Sequence, residues 1–157
     1  MDHDDTTRDA AATNATRTLH GSCHCGLVRF EVDHDPTAEA TGCNCVNCTK
    51  VGVAGLIVNP AAFRLVQGED ALGMYTWGAS GMRRYFCNHC GVHGFVRGNV
   101  AELGGEYVSV SLHSIDGVEI TEVKVAHWDG RHDNWQAGPR ETPWPILDAE
   151  IAVPVEV

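Results

Sequence analysis

At 157 residues and 43% hydrophobic content the chain fits one domain with a core of its own, so neither disulfides nor metals are needed merely to offset small size. The formal net charge of −10 argues against a nucleic-acid partner, because phosphate binding draws on basic surface. The N-terminus, MDHDDTTRDAAATNATRT, opens with acids and holds no apolar stretch; it reads as neither a signal peptide nor a membrane span, and no membrane partner is expected.

Residues 1–17 are polar and rich in Thr, Ala and Asp, which predicts a disordered acidic tail. From Leu19 onward the text becomes short and β-like. LVRFEV alternates, GLIV is a buried-type run, and FRLVQG, MYTW, MRRYF, HGFVR and EYVSVSL follow at short intervals with Gly or Asn turns between them. No window sustains a 3.6-residue apolar stripe, although NPAAFRL is compatible with one opening helical turn. A mainly β domain over residues 18–137 is therefore expected. After Gly138 the chain reads GPRETPWPILDAEIAVPVEV, with four of the six prolines, and residues 138–157 are expected to form an extended strap.

All seven cysteines fall in three tight groups: Cys23 and Cys25; Cys43, Cys45 and Cys48; Cys87 and Cys90. In the cytoplasm, the expected compartment, thiols stay reduced, and an odd count suits metal ligands or catalytic thiols better than a disulfide framework. In an extended strand residues i and i+2 share a face, so Cys23 and Cys25 are expected to aim two sulfurs at one point while His24 faces away. Cys87 and Cys90 form a Cys-x-x-Cys knuckle with Gly91 as its permissive backbone, and the two pairs together close a four-thiolate zinc site. A redox-active Cys-x-x-Cys is the rival reading, but no βαβ pattern surrounds the motif.

Cys43, Cys45 and Cys48 remain, three ligands for one ion. Three protein ligands with an open fourth position is the arrangement of a catalytic rather than a structural zinc. His93 is the candidate fourth ligand, its alternative being a packed or supporting residue. An iron–sulfur cluster lacks the obvious fourth cysteine. Charge is segregated around these groups. Between residues 40 and 101 five basic residues, Lys50, Arg64, Arg83, Arg84 and Arg97, stand against only Glu69 and Asp70, and five of the seven cysteines lie in that window. Cations there lower thiol pKa values and attract anions, with chance segregation as the alternative.

GSCHCGLVRFEV, CNCVNCTKVG, FRLVQGEDAL and YFCNHCGVHGFVRG resemble the family of glutathione-dependent formaldehyde-activating enzymes and its relative, the centromere protein V domain, from about Leu19 to about Trp135. The resemblance implies a zinc-stapled β-tent of small antiparallel sheets. It implies two zinc ions, a structural one on Cys23, Cys25, Cys87 and Cys90 and a more labile one on Cys43, Cys45 and Cys48. It also implies a carbon–sulfur lyase whose small-molecule thiol, glutathione, adds to formaldehyde to give S-hydroxymethylglutathione, with the trio as the catalytic centre. Glutathione carries two carboxylates, so Arg83, Arg84, Arg97 and Lys50 are candidate clamps, with Trp77 or Tyr85 as packing walls. For each of these a surface ion pair or a cross-strand packing pair is the alternative.

The chain departs from the usual family text at Gly94 and Val96, around Phe95, and at Val46 and Asn47, between the last two cysteines of the trio. Neither departure touches a ligand. A non-catalytic binding module built on the same zinc-stapled fold, or a thiol and zinc buffer, are the alternative functions. A short acidic extension in place of a long basic one disfavours a chromosomal role.

Overall fold

The structure is a computed structural model and describes residues 16–35, 37–77 and 81–147; residues 1–15 of the expected tail and 148–157 of the expected strap lie outside the described residues. Among the described residues ten strands form two sheets. The smaller is antiparallel and holds β1 (Arg17–Ser22), β2 (Arg29–His34) and β5 (Phe63–Gln67) in the order β1-β2-β5. The larger runs β10 (Val125–Trp128), β3 (Ala40–Cys43), β4 (Gly55–Val58), β9 (Gly105–Ser111), β8 (His93–Val100), β7 (Met82–Cys87), β6 (Leu72–Trp77). The fold is mainly β. The larger sheet has seven strands and is mixed, because its β3–β10 pair is parallel.

Alternation along the strands decides what each face does. On β9, Val108 and Val110 point into the core; across the ladder Leu56 pairs with Val110 and Val58 with Val108, and Phe95 on β8 also faces Val110. The small sheet closes over this face. Phe30 from β2 and Phe63 from β5 meet Phe95 with the three ring centroids 4.6 to 6.3 Å apart, tilted or edge-on rather than face to face. Phe30 lies so close over Gly21 that an added Cβ there would sit 2.2 Å from the ring, so only glycine admits this packing.

The helical turn anticipated at NPAAFRL is present as a single 3-10 turn, Pro60–Ala62, capped by Asn59 and leading directly into β5. One α-helix lies among the described residues, α1 (Val46–Val51), six residues long and stopped by Gly52 in the left-handed conformation. No helix among the described residues is long and apolar enough to cross a membrane.

Candidate metal centres

The sulfurs of Cys23, Cys25, Cys87 and Cys90 lie within 4.8 Å of one another, and those of Cys43, Cys45 and Cys48 do the same. All seven thiols are free. In the tetrad, Cys23 and Cys25 sulfurs are 3.5 Å apart and Cys25 and Cys87 sulfurs 3.7 Å apart. Tetrahedral thiolates at a zinc–sulfur bond of about 2.3 Å stand about 3.8 Å from each other, so this donor set fits a four-coordinate thiophilic ion with little adjustment.

The backbone that brings the tetrad together differs from the strand doublet read from Cys-x-Cys. Cys23 follows the end of β1 and opens a tight turn: Gly26 N–H donates to the Cys23 carbonyl at 3.0 Å, Cys23 N–H to the Val28 carbonyl at 3.1 Å, and Gly26 has φ +77°. Two knuckles therefore face each other. In the second, Gly91 N–H donates to the Cys87 carbonyl at 2.8 Å and Gly91 takes φ +76°. A straight strand would leave the sulfurs without donors, whereas in these turns Val28 N–H donates to Cys23 Sγ and His89 N–H to Cys87 Sγ. Although burial opposes its charge, the Val28 donor and the neighbouring thiols hold Cys23 below the ordinary thiol value. The Leu27 backbone notwithstanding, burial and the neighbouring thiols push Cys25 up to about 12, while backbone donors hold Cys90 down to about 6.

The trio is built where β3 hands over to α1. Cys43 is the last residue of β3, Cys45 caps the helix by accepting Cys48 N–H at 3.4 Å, and Cys45 N–H donates to Cys43 Sγ at 3.4 Å. The hydrogen bonds from Cys43 and Cys48 hold the Cys45 thiol down to about 2, and the same contacts together with burial push Cys48 up. A single negative charge is thus favoured on three sulfurs until an ion replaces the shared protons.

A buried polar network fixes this corner. Asn44, between the first two cysteines of the trio, donates to Asp129 Oδ1 at 2.6 Å and to the Pro145 carbonyl at 3.0 Å, while its own Oδ1 accepts Arg131 N–H at 2.9 Å. Asp129 is 4% exposed and also meets His132 Nδ1 at 2.6 Å and Asn134 Nδ2 at 3.3 Å. Although burial opposes its charge, these donors keep the Asp129 carboxyl below the usual range. The segment from Trp128 to Trp135 was not singled out from sequence. Its trace was there in the dense polar run DGRHDN between two tryptophans.

The proposed clamps separate by strand face. Arg84, 4% exposed, donates through Nε to Asn47 Oδ1 at 2.9 Å, has Nη2 4.0 Å from Cys48 Sγ, and lies over the Trp77 ring at 5.3 Å. Arg83 and Arg97 pair with each other on the opposite face, where Arg97 covers the Phe63 and Phe95 rings at the edge of the core; Tyr85 stacks on Phe95 there too. Lys50 is exposed in the last turn of α1. His93 belongs to neither sulfur group among the described residues; its ring lies 5.6 Å from that of Phe86, and its buried Nδ1 has no hydrogen-bond partner. Burial, with the Arg84 cation nearby, holds its pKa below the ordinary value.

The model of the glutathione-dependent formaldehyde-activating enzyme family matches residues 18–130, most of the chain and both sulfur groups. The chain belongs to this family. A Halomonas elongata relative named "Putative glutathione-dependent formaldehyde-activating enzyme" is 34% identical over 80 residues, which are 46% of this chain and 51% of the relative, so the chain spans about half the length of the curated relative it matches. A crystal structure of a Rhodobacter sphaeroides protein is similar at a TM-score of 0.58 and 28% identity, covering 68% of this chain and 99% of that one. The fold and the family are thus given by likeness, and the two sulfur groups by the geometry of this chain.

Beside the sulfur trio the chain also opens a cleft of about 340 Å³. Cys43 and Cys48 lie on its wall with Trp128 and Leu112, and the described part of the C-terminal segment closes it through Trp144 and Ile146. That segment is held by a two-way backbone pair between His127 and Arg140 and by Trp144 Nε1 donating to the His127 carbonyl at 2.9 Å.

Proposed function

We propose that the chain is a zinc-dependent carbon–sulfur lyase that joins a small thiol, glutathione by family membership, to formaldehyde, giving S-hydroxymethylglutathione, or cleaves that adduct by the same steps in reverse. The observation that carries this reading is the asymmetry between the two sulfur groups. One has four donors spaced for a closed tetrahedral ion, and the other has three, beside a buried cation and a cleft.

Cys43, Cys45 and Cys48 would hold the second zinc, as the closed set of Cys23, Cys25, Cys87 and Cys90 would hold the first. Zinc bound at the trio supplies the Lewis acidity that keeps an incoming thiol ionised near neutral pH. Three thiolates exceed the charge of a divalent cation by one, and the Arg84 guanidinium beside Cys48 offsets that excess. Asn47 fixes the guanidinium by accepting from Nε, which leaves the Nη groups to meet the sulfur and one carboxylate of the thiol substrate. Trp77 covers the guanidinium and limits water around it. In the addition the thiolate sulfur forms a bond to the carbonyl carbon, the carbonyl π pair moves to oxygen, and oxygen takes up the proton that the thiol gave up. Of the basic residues read from sequence, only Arg84 contacts the trio in this geometry.

Metal counting combined with exchange NMR on a glutathione and formaldehyde mixture tests the reading. Two zinc ions per chain and exchange well above the uncatalysed rate, lost in Cys45→Ser, are expected. Two bound ions with exchange at the uncatalysed rate would make the protein a binding module instead.

A further inference from the structure

The cleft beside the trio differs in character from what a charged thiol needs. Among the described residues that line it there is no lysine, arginine, aspartate or glutamate. Its apolar walls are Trp128, Trp144, Leu112, Ile120, Val125 and Ile146; two imidazoles, His113 and His127, line it as well, and burial, with the Arg140 cation, holds the His127 pKa below its ordinary value. At about 340 Å³ the cleft lies in the range of pockets that enclose a whole small organic ligand. Formaldehyde has two heavy atoms and no apolar group to bury.

We infer that this cleft is the carbonyl subsite and that it takes neutral aldehydes bearing an aryl or branched apolar group, with the aldehyde carbon directed at the Cys43 and Cys48 end. The inference rests on the lyase reading of the trio and names the substrate class of that same site. A charged thiol is served by the separate Arg84 contact, and the apolar part of the aldehyde is desolvated between the two tryptophans. The bond changes are those of the parent reaction: a carbon–sulfur bond forms, the carbonyl π bond opens, and the thiol proton ends on oxygen.

The test separates binding from turnover on the zinc-loaded protein. Benzyl alcohol, benzoate and benzaldehyde are titrated while the indole N–H signals of Trp128 and Trp144 are followed by NMR. Benzyl alcohol and benzaldehyde are expected to shift both signals and benzoate to leave them in place. Ile146→Glu, at a position 47% exposed and therefore tolerant, should weaken benzaldehyde binding about tenfold. Trp144→Ala should lower the ratio of kcat/KM for benzaldehyde over formaldehyde with glutathione. If formaldehyde is turned over while neither aryl probe moves the indoles, the apolar assignment is wrong and the lyase reading stands. If the probes bind yet no aldehyde of either kind reacts, the lyase reading fails and takes the carbonyl assignment with it.

Discussion

The Arg84 guanidinium stands 4.0 Å from the Cys48 sulfur while Asn47, one residue before Cys48, holds its Nε at 2.9 Å. Strand β7 thereby delivers a buried cation to a helix turn 36 residues earlier in the chain, with no carboxylate within ion-pair distance among the described residues. Buried guanidinium without an acid is costly unless an anion meets it. Arg84→Met should therefore lower kcat/KM for the thiol by about ten- to a hundredfold, the worth of one charged hydrogen bond, while tetrad metal content stays at one ion. Arg84→Lys should recover part of the loss, and a fully active methionine variant would remove Arg84 from the site.

The two sulfur groups should answer differently to the same substitution. Cys45→Ser is expected to drop bound zinc from two to one per chain with the fold retained. Cys87→Ser, at a thiol 1% exposed that joins β7 to the turn after β1, should unfold the protein, because structural zinc ligation contributes about 10–16 kcal/mol against a total stability of about 5–15 kcal/mol. Circular dichroism and metal analysis read both; equal stability of the two variants would erase the distinction.

Asn44→Ala leaves Asp129 with two of its three side-chain donors and Arg131 N–H without its acceptor. A loss of about 2–3 kcal/mol follows, lowering Tm by about 4–12 °C, together with weaker metal retention at the trio. Thermal melts with and without added zinc check it: the deficit should persist in zinc, since the network and not the ion is damaged.

Most of the strand pattern was readable in the text. GLIV coincides with β4, buried at three of its four positions as a continuous apolar run implies, and FRLVQ, MRRYF and EYVSVS fall on β5, β7 and β9, where β-branched and aromatic residues stand between turn residues. Three elements around the trio were not. β3 holds Gly42 and only four residues, β10 is half-buried along its whole length without alternation, and α1 is too short to show a stripe. The division of sulfurs into four and three could be read from spacing, whereas the choice among basic residues could not, since Arg83 and Arg84 are adjacent and only the direction of the strand face sends one to the trio and the other away.

Acid should destabilise the fold before the carboxylates titrate. Burial holds His34, His93 and His127 below their ordinary pKa, so the unfolded chain takes up protons near pH ~6.5 where the folded chain does not. Their contribution is complete above that pH and is lost as pH falls through the depressed folded values. Urea midpoints should decrease from about pH 7.5 to about pH 5. His34→Gln, remote from both sulfur groups, should flatten that slope; an unchanged slope would locate the sensitivity elsewhere.

The parallel pairing of β10 with β3 joins Trp128 to Cys43 across 85 residues. A chain emerging from the ribosome as far as Ser114 already owns every cysteine and nine of the ten strands, yet lacks the edge that carries Asp129. The four donors of the tetrad are therefore all made before the segment that orders the corner of the trio. A product truncated after Ser114 would keep both sulfur groups but lose the Asp129 and Arg131 contacts to Asn44, so an ion at the tetrad is expected to be retained better than one at the trio.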